Sequence, residues 1–354
     1  MELRIGVMGF GGMGHYHAEN VKIDGVKFIS ACDIDQLQVA DAPDYGLKVF
    51  LNDEDNFFGD PDINTVLLTL PNHLHKEYAI KAAQAGKNII CEKPAALCIE
   101  DFDEMVRTAG ECGVLFEAHQ NRRWDKDFNI VKKIYDENLI GNIVTIESTL
   151  HSPNGRMHNW HTFREFGGGM VYDWAIHLVD QALFLIPSKI DSIYADLKYV
   201  FHEEVEDNYK IIIKFSNGQS VVLSHSTYCL KPSPRWLIIA DKGTAVIDSF
   251  AGDGNIYRTT ELLEKLPPKI LPNIAGPTRS FIPVPPGKLL VEELPQVETQ
   301  WLDYYRNYLD VLNGKTEFAV KNHEVRRVLA VIEAIFKSGE TGEAVKFTYD
   351  DERG

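Results

Sequence analysis

Long apolar runs are missing from this chain. The longest, such as TVLLTL at residues 65–70, fall far short of the roughly 20 residues a membrane helix needs, so no membrane partner is expected. Positive charge is also scarce. Thirty-six Lys and Arg stand against 52 Asp and Glu, a net charge of −16. So acidic a surface repels a phosphate backbone, which sets nucleic acid aside as a partner. There are only five cysteines, at 32, 91, 98, 112 and 229, with no CxxC spacing and an odd count. That excludes a disulfide framework and points to a reduced, cytoplasmic compartment. Cys32 and Cys91 sit in apolar, strand-like runs, where a free thiol serves as a small hydrophobe. The opening residues MELRIGVMGFGG lack the basic, apolar and small-residue segments of a secretory signal; they read directly as a first strand. Internal repeats and low-complexity tails are absent too.

What remains is an ordinary globular composition, 44% hydrophobic and 25% charged, in a chain long enough for two domains. Up to about residue 120, apolar runs at 4–8, 26–32, 65–70, 88–91 and 114–118 alternate with stretches of helical length such as HKEYAIKAAQAG. That alternation predicts βαβ units and a parallel sheet. Beyond it the pattern changes. One long helix is expected over 124–138, a strand over 143–151 and a helix over roughly 170–185. Two hairpins follow, at 209–228 around Asn217-Gly218 and at 236–248 around Asp241-Lys242-Gly243. The predicted fold is an α/β Rossmann domain over 1–120, then an α+β domain over 121–354 with a large, mostly antiparallel open sheet. Half of the sixteen prolines fall in 267–295, too many for a sheet interior, so this stretch reads as a surface excursion or an oligomer contact. Two amphipathic helices, 298–312 and 323–338, close the chain and are free to pack back on the first domain.

The sharpest motif is Gly9-Phe10-Gly11-Gly12-Met13-Gly14, a GxGxxG after the first strand and before a helix. Its glycines permit a tight turn and bring backbone amides to a pyrophosphate at a helix N-terminus. The second strand ends in Asp33, 19 residues after Gly14. An acid there accepts hydrogen bonds from ribose hydroxyls and repels a 2′-phosphate, which favours NAD over NADP. The tips of two further strands carry Leu70, Pro71, Asn72 and His75, and Glu92, Lys93 and Pro94. They lie on the carboxyl edge of a parallel sheet, where such folds bind ligands. Lys93, fixed by the following proline, is a candidate catalytic cation; a solvated surface lysine is the alternative. Asp173 and His177 are spaced i, i+4 and share a helix face. Such a pair is either a structural helix contact or half a metal site, and without a third ligand cluster no metal is expected. The segment NGRMHNWHTFREF at 154–166 holds polar groups suited to hydroxyls and, in Trp160, an indole face suited to C–H surfaces. Arg156, His158 and Trp160 are therefore candidate substrate contacts. Arg122 or Arg123, in QNRRWD where the chain crosses between the domains, is placed to reach cofactor or substrate, with Arg122 the candidate substrate contact.

Together GFGGMGHYHAEN, PNHLH, AGKNIICEKP and GGGMVYDWAIHLVD resemble the Gfo/Idh/MocA family, the glucose-fructose oxidoreductase and inositol dehydrogenase group, in order and over essentially the whole chain. The resemblance places the family's catalytic lysine on Lys93 and its aspartate and histidine on Asp173 and His177. It adds Phe10, Gly12 and Met13, the two strand tips, Glu92 and Lys93 to the cofactor contacts, and Lys93, Asp173 and His177 to the substrate contacts. It implies a cis Lys93–Pro94 bond and a homodimer or homotetramer built on the open sheet. Where the family commonly has DxGxH, this chain has Ala175, which narrows the space without removing reacting groups. The activity implied is NAD-dependent, reversible oxidation of a secondary hydroxyl on a sugar, sugar derivative or cyclitol. Alternatives within the resemblance are an NAD-dependent glycosidase that oxidises transiently, and a non-catalytic NAD-binding regulatory protein.

Overall fold

The computed structural model describes residues 1–153, 155–259, 270–276, 278–279 and 287–349. The first lobe holds strands β1 (Leu3–Met8), β2 (Val26–Asp33), β3 (Lys48–Leu51), β4 (Thr65–Leu68), β5 (Asn88–Cys91) and β6 (Phe116–Ala118), with helices α1 (Gly12–Asn20), α2 (Glu54–Gly59), α3 (His75–Gln84) and α4 (Ile99–Glu111) among them. The strands pair in parallel throughout, in the order β3-β2-β1-β4-β5-β6. β1 and β4 are buried along almost their whole length because helices cover both sheet faces, which is why they read as unbroken apolar runs. Strand order reverses between them, and the crevice beyond their carboxyl ends is where an open α/β sheet binds its ligand. β3 has no such run: three of its four residues are exposed at the sheet edge.

The second lobe is built on a nine-stranded sheet. Its elements are α5 (Lys126–Asp136), β7 (Ile143–His151), α6 (Ile176–Leu185), β8 (Ile190–Lys198), β9 (Asn208–Phe215), β10 (Ser220–Ser226), β11 (Trp236–Ala240), β12 (Gly243–Ile247) and β13 (Gly254–Thr259). They continue with β14 (Ile270–Leu271), β15 (Thr278–Arg279), β16 (Leu289–Glu293), α7 (Asp303–Leu312), α8 (Asn322–Thr341) and β17 (Val345–Lys346). The order is β16-β13-β12-β11-β7-β10-β9-β8-β17, with β14 and β15 as a separate ribbon. Only β7 with β10 runs parallel, so the sheet is mixed but mostly antiparallel. α8 buries Val325, Val328, Leu329, Ile332 and Ile335, a helical stripe, against this sheet, α6 and α4. α7 returns to the first lobe, where the fully buried Tyr308 donates its hydroxyl to the Ile89 carbonyl of β5 at 3.3 Å.

Three local expectations need correction. The helix expected over 124–138 is a 3₁₀ turn at Asn121–Trp124 followed by α5, because Asp125 between them is extended (φ −62°, ψ 139°). The helix expected over 170–185 begins as a π-helical turn, Val171–Ala175, and becomes α-helical only at Ile176. The helix expected from 298 starts at Asp303. Of the proline-rich stretch 267–295, residues 267–269, 277 and 280–286 lie outside the described residues. Its described parts include β16, which forms the edge of the large sheet and pairs only with β13, so no sheet-interior position is asked of its neighbouring prolines.

Candidate active site

The turn after β1 has the geometry a dinucleotide requires. Gly9 has φ +87°, and a Cβ there would lie 2.9 Å from the Thr69 carbonyl oxygen, so the tight turn demands glycine. A Cβ on Gly14 would lie 2.8 Å from the Gly9 carbonyl oxygen; its absence lets α1 pack on β1. Gly11 and Gly12 face open space, with nothing nearer than 3.9 Å to a Cβ at either. A pyrophosphate fits there, at the positive end of α1. The space belongs to a cavity of about 960 Å³, lined at one end by Gly11, Gly12, Met13, Asp33 and Gln38 and elsewhere by Lys93, Trp160, His161 and Asp173. The residues present therefore fit a nicotinamide dinucleotide.

Asp33 does more than the sequence implied. Its carboxylate accepts the Phe10 amide at 2.8 Å and the Asp35 amide at 2.9 Å, which ties β2 to the glycine turn. Each oxygen keeps a lone pair for a ribose hydroxyl. Asp53 and Glu54 line the same end, so its charge is negative. Phe10 does not line the cavity: its amide is bonded to Asp33 and its ring is fully buried against His15. Leu70, Pro71 and Asn72 line the cavity, and Asn72 also donates to the Gly167 carbonyl at 2.8 Å. His75 is not on the wall. It is buried, with ring nitrogens 2.9 Å from the carbonyls of Pro94 and Leu70, and it clamps two strand tips together.

The Lys93–Pro94 bond is cis. Lys93 Nζ donates to Asp173 Oδ1 at 2.7 Å and to the Asp173 carbonyl at 2.9 Å. Two of three ammonium donors thus hold the lysine in place, and the third is left for a substrate oxygen. Burial alone would raise the Asp173 pKa; the Lys93 ammonium beside it holds the carboxyl below its ordinary value. Asp173 sits on the π-helical turn and His177 on the first turn of α6, so both come from one irregular helix start. Local π-turns of this kind recur at functional sites. His177 is buried, and its Nδ1 has no hydrogen-bond partner. Burial, then Lys93 and Arg122, lower its pKa well below the ordinary histidine value, so it is neutral and able to take a proton near neutral pH. Ala175 is fully buried and packs in the core.

The substrate candidates divide. Trp160 lines the cavity, stacked on His161 with ring centroids 3.8 Å apart. His161, which the sequence could not separate from its neighbours, lines it as well. Arg156 and His158 are exposed and do not line the cavity, and Asn154 lies outside the described residues. Arg122 pairs with Asp125 at 2.8 Å and stacks on Trp174 and Phe250, so it supports the site from behind. Its neighbour Arg123 is buried in a bidentate pair with Asp180.

Sequence reasoning missed one cluster altogether. Glu92 Oε1 accepts from His17 Nε2 at 2.8 Å and from His119 Nδ1 at 2.7 Å, all three buried. Their ligand-type atoms lie within 4.8 Å of one another. His–carboxylate sets of this kind also bind metals, but here each contact is already a hydrogen bond. Residues 17, 92 and 119 are too far apart in sequence for any spacing to reveal them.

Two family models match the chain. The oxidoreductase family with an NAD-binding Rossmann fold covers residues 3–119, and the GFO/IDH/MocA C-terminal domain covers residues 128–246. The solved structure of an NAD-binding protein from Listeria innocua is 34% identical, with a TM-score of 0.91 over 98% of this chain and 99% of that one. The 2,7-anhydro-N-acetylneuraminate hydratase of Mediterraneibacter gnavus is 30% identical over 67% of this chain and 66% of its own length. The NADP⁺-dependent scyllo-inositol 2-dehydrogenase of Bacillus subtilis is 25% identical over 79% and 77%. Among the described residues no helix is long and apolar enough to cross a membrane.

Proposed function

The chain belongs to the GFO/IDH/MocA family of NAD-binding oxidoreductases, and from that premise we propose that it reversibly oxidises a secondary hydroxyl of a sugar, sugar derivative or cyclitol. The observation that carries this reading is the Lys93–Asp173 pair, which crosses between the lobes on the wall of the cavity that holds the glycine turn; the neutral His177 is buried off that wall, within electrostatic reach of Lys93. When bound, the nicotinamide dinucleotide supplies the hydride acceptor. Lys93, held by Asp173, donates a hydrogen bond to the substrate oxygen and stabilises the negative charge that develops on it. His177 takes the hydroxyl proton. The Trp160–His161 stack offers a flat face to the C–H side of a ring. NAD is the preferred cofactor, because Asp33, Asp53 and Glu54 give the adenosine-ribose end a negative charge that a 2′-phosphate would meet. The NADP⁺-dependent relative shows that family membership alone does not decide this. Exposed Val144, Tyr194 and Ile239 on the outer sheet face support a homo-oligomer, and five free cysteines suit a reduced, cytoplasmic setting.

The test is a panel of sugars and cyclitols scored by NADH absorbance, with Lys93→Met and His177→Ala alongside. A second reading, in which oxidation is transient and the net reaction is elimination or hydration, is favoured by the hydratase relative. It predicts product formation without net NADH, which chromatography of an anhydro-sugar or glycoside reaction would register.

A further inference from the structure

The π-turn that carries Asp173 is entered through Gly167-Gly168-Gly169, and the last of these is pinned rather than free. Its φ is +99°, and a Cβ there would lie 2.4 Å from Glu206 Oε1. Its amide donates to the His161 carbonyl at 3.0 Å, which ties it to the cavity wall as well. Glu206 is thus seated against the start of the turn. It is 2% exposed and stands two residues before β9. We infer that Glu206 is the positioning residue of the Lys93–Asp173 pair: it caps the π-turn and thereby aims the Asp173 carboxylate at Lys93. The inference rests on the reading of that pair as the group that holds the substrate oxygen.

Every link from Glu206 to Lys93 is a direct contact. A helix start leaves its first amides without partners inside the helix. Here the Glu206 carbonyl accepts the Met170 amide at 3.0 Å, and Glu206 Oε1 accepts the Val171 amide at 2.7 Å. The Asp173 amide closes on the Gly169 carbonyl at 3.1 Å. The Asp173 carboxylate and carbonyl then hold the Lys93 ammonium at 2.7 and 2.9 Å. Glu206 is itself fixed from behind. Its neighbour Asp207 donates its amide to the Lys198 carbonyl at 3.0 Å and accepts the amides of Val200 and Phe201 at 3.1 and 2.6 Å, which stiffens the connection from β8 to β9. Burial pushes the Glu206 pKa up to about 7, opposed by the Val171 amide and by Arg164. Both protonation states are therefore present at neutral pH, and each offers an oxygen to Val171. The acceptor, not the charge, is what the turn requires. Without it the Val171 amide is buried unpaired, a cost the turn relieves by shifting.

The test is competitive acetylation of the full-length protein by acetic anhydride, with Lys93 and Lys87 read separately by peptide mass spectrometry. Lys87 is buried in the first lobe, its ammonium bonded to the Asp60 and Ile63 carbonyls, and it reports general loosening. Glu206→Leu should raise Lys93 labelling severalfold and leave Lys87 at its native level. It should also lower kcat by roughly 10²-fold, the scale of a misplacement of about 1 Å, with KM for NAD retained. Glu206→Gln keeps an oxygen for the Val171 amide and should recover most of both. Native Lys93 labelling in Glu206→Leu, a rise shared by Lys87, or equal damage in the Gln and Leu variants overturns the inference. If Glu206→Leu does not fold, Glu206→Asp decides, since its shorter side chain draws the oxygen back from Val171. Raised Lys93 labelling with native Lys87 then supports the inference, and any other pattern overturns it. Native turnover by Lys93→Met would instead overturn the role of the pair, whatever the labelling shows.

Discussion

Replacing Lys93 by Met separates what the lysine does for stability from what it does for chemistry. The Lys93 and Asp173 side chains are 19% and 26% exposed, so the pair lies between the surface and buried extremes. Breaking a fully buried pair costs about 3–5 kcal/mol and an exposed one about 0–1 kcal/mol; a loss of roughly 1–3 kcal/mol follows for this one. The pH dependence has a definite sign. In the native protein the Asp173 pKa is depressed, so it contributes stability above its unfolded value of about 3.9, and this is lost as pH falls through the folded value. In Lys93→Met the largest lowering effect is lost, and burial, which raises the pKa, is opposed only by the smaller effects of His161 and His225. The deficit is then largest at neutral pH and shrinks as acid protonates Asp173. Lys93→Met/Asp173→Asn removes both charges and should recover most of the stability. Neither variant should recover turnover, because the donor to the developing alkoxide is gone, at a cost of roughly 10²–10³-fold or more. Urea melts from pH 4 to 8 and kcat at saturating NAD measure the two effects. A Lys93→Met protein with native stability at pH 7, or with turnover within tenfold of native, would refute this reasoning.

His177→Ala should lose turnover by roughly 10²–10⁴-fold. The native pH profile should show an acid limb well below the ordinary histidine pKa of about 6.5, because burial, Lys93 and Arg122 all disfavour the charged ring; steady-state rates across pH check both. Asp33→Ser should narrow the preference for NAD over NADP by about tenfold or more, one lost charge-assisted interaction, as read by fluorescence titration. It should also lower the melting temperature, since the Phe10 and Asp35 amides lose their acceptor. Gly14→Ala places a Cβ against the Gly9 carbonyl and should weaken both folding and NAD binding, whereas Gly12→Ala, with nothing within 4 Å, should melt like the native protein. Equal melting curves for the two alanine variants would contradict the assigned packing role of Gly14.

Much of the first lobe was legible because its strands are buried on both faces and its glycine turn has fixed spacing. The edge strand β3 was not, since KVFL buries one residue in four. In the candidate site, Lys93, Asp173 and His177 were named by the family resemblance, but their relation was not. An i, i+4 pair implies an α-helix, whereas the π-helical turn at Val171–Ala175 carries Asp173 and turns its carboxylate to Lys93, 80 residues earlier. Asp33 was read as a ribose acceptor; its bonds to two backbone amides depend on how the glycine turn folds back over β2. In the loop before the π-turn, composition singled out Arg156, His158 and Trp160 without fixing their orientation, and of these Trp160 alone lines the cavity. His158 and His161 are equivalent in sequence, yet only His161 reaches the cavity.

The most direct measurement is hydride transfer itself. Native protein with NAD and a C-deuterated cyclitol or sugar that passes the absorbance panel should yield deuterated NADH and the matching ketone, with a slowed rate for the deuterated carbon, and Lys93→Met and His177→Ala should bind NAD but yield neither. Tight NAD binding with no reduced cofactor and no exchanged or rearranged product from any polyol, or undiminished transfer by both variants, would contradict the account.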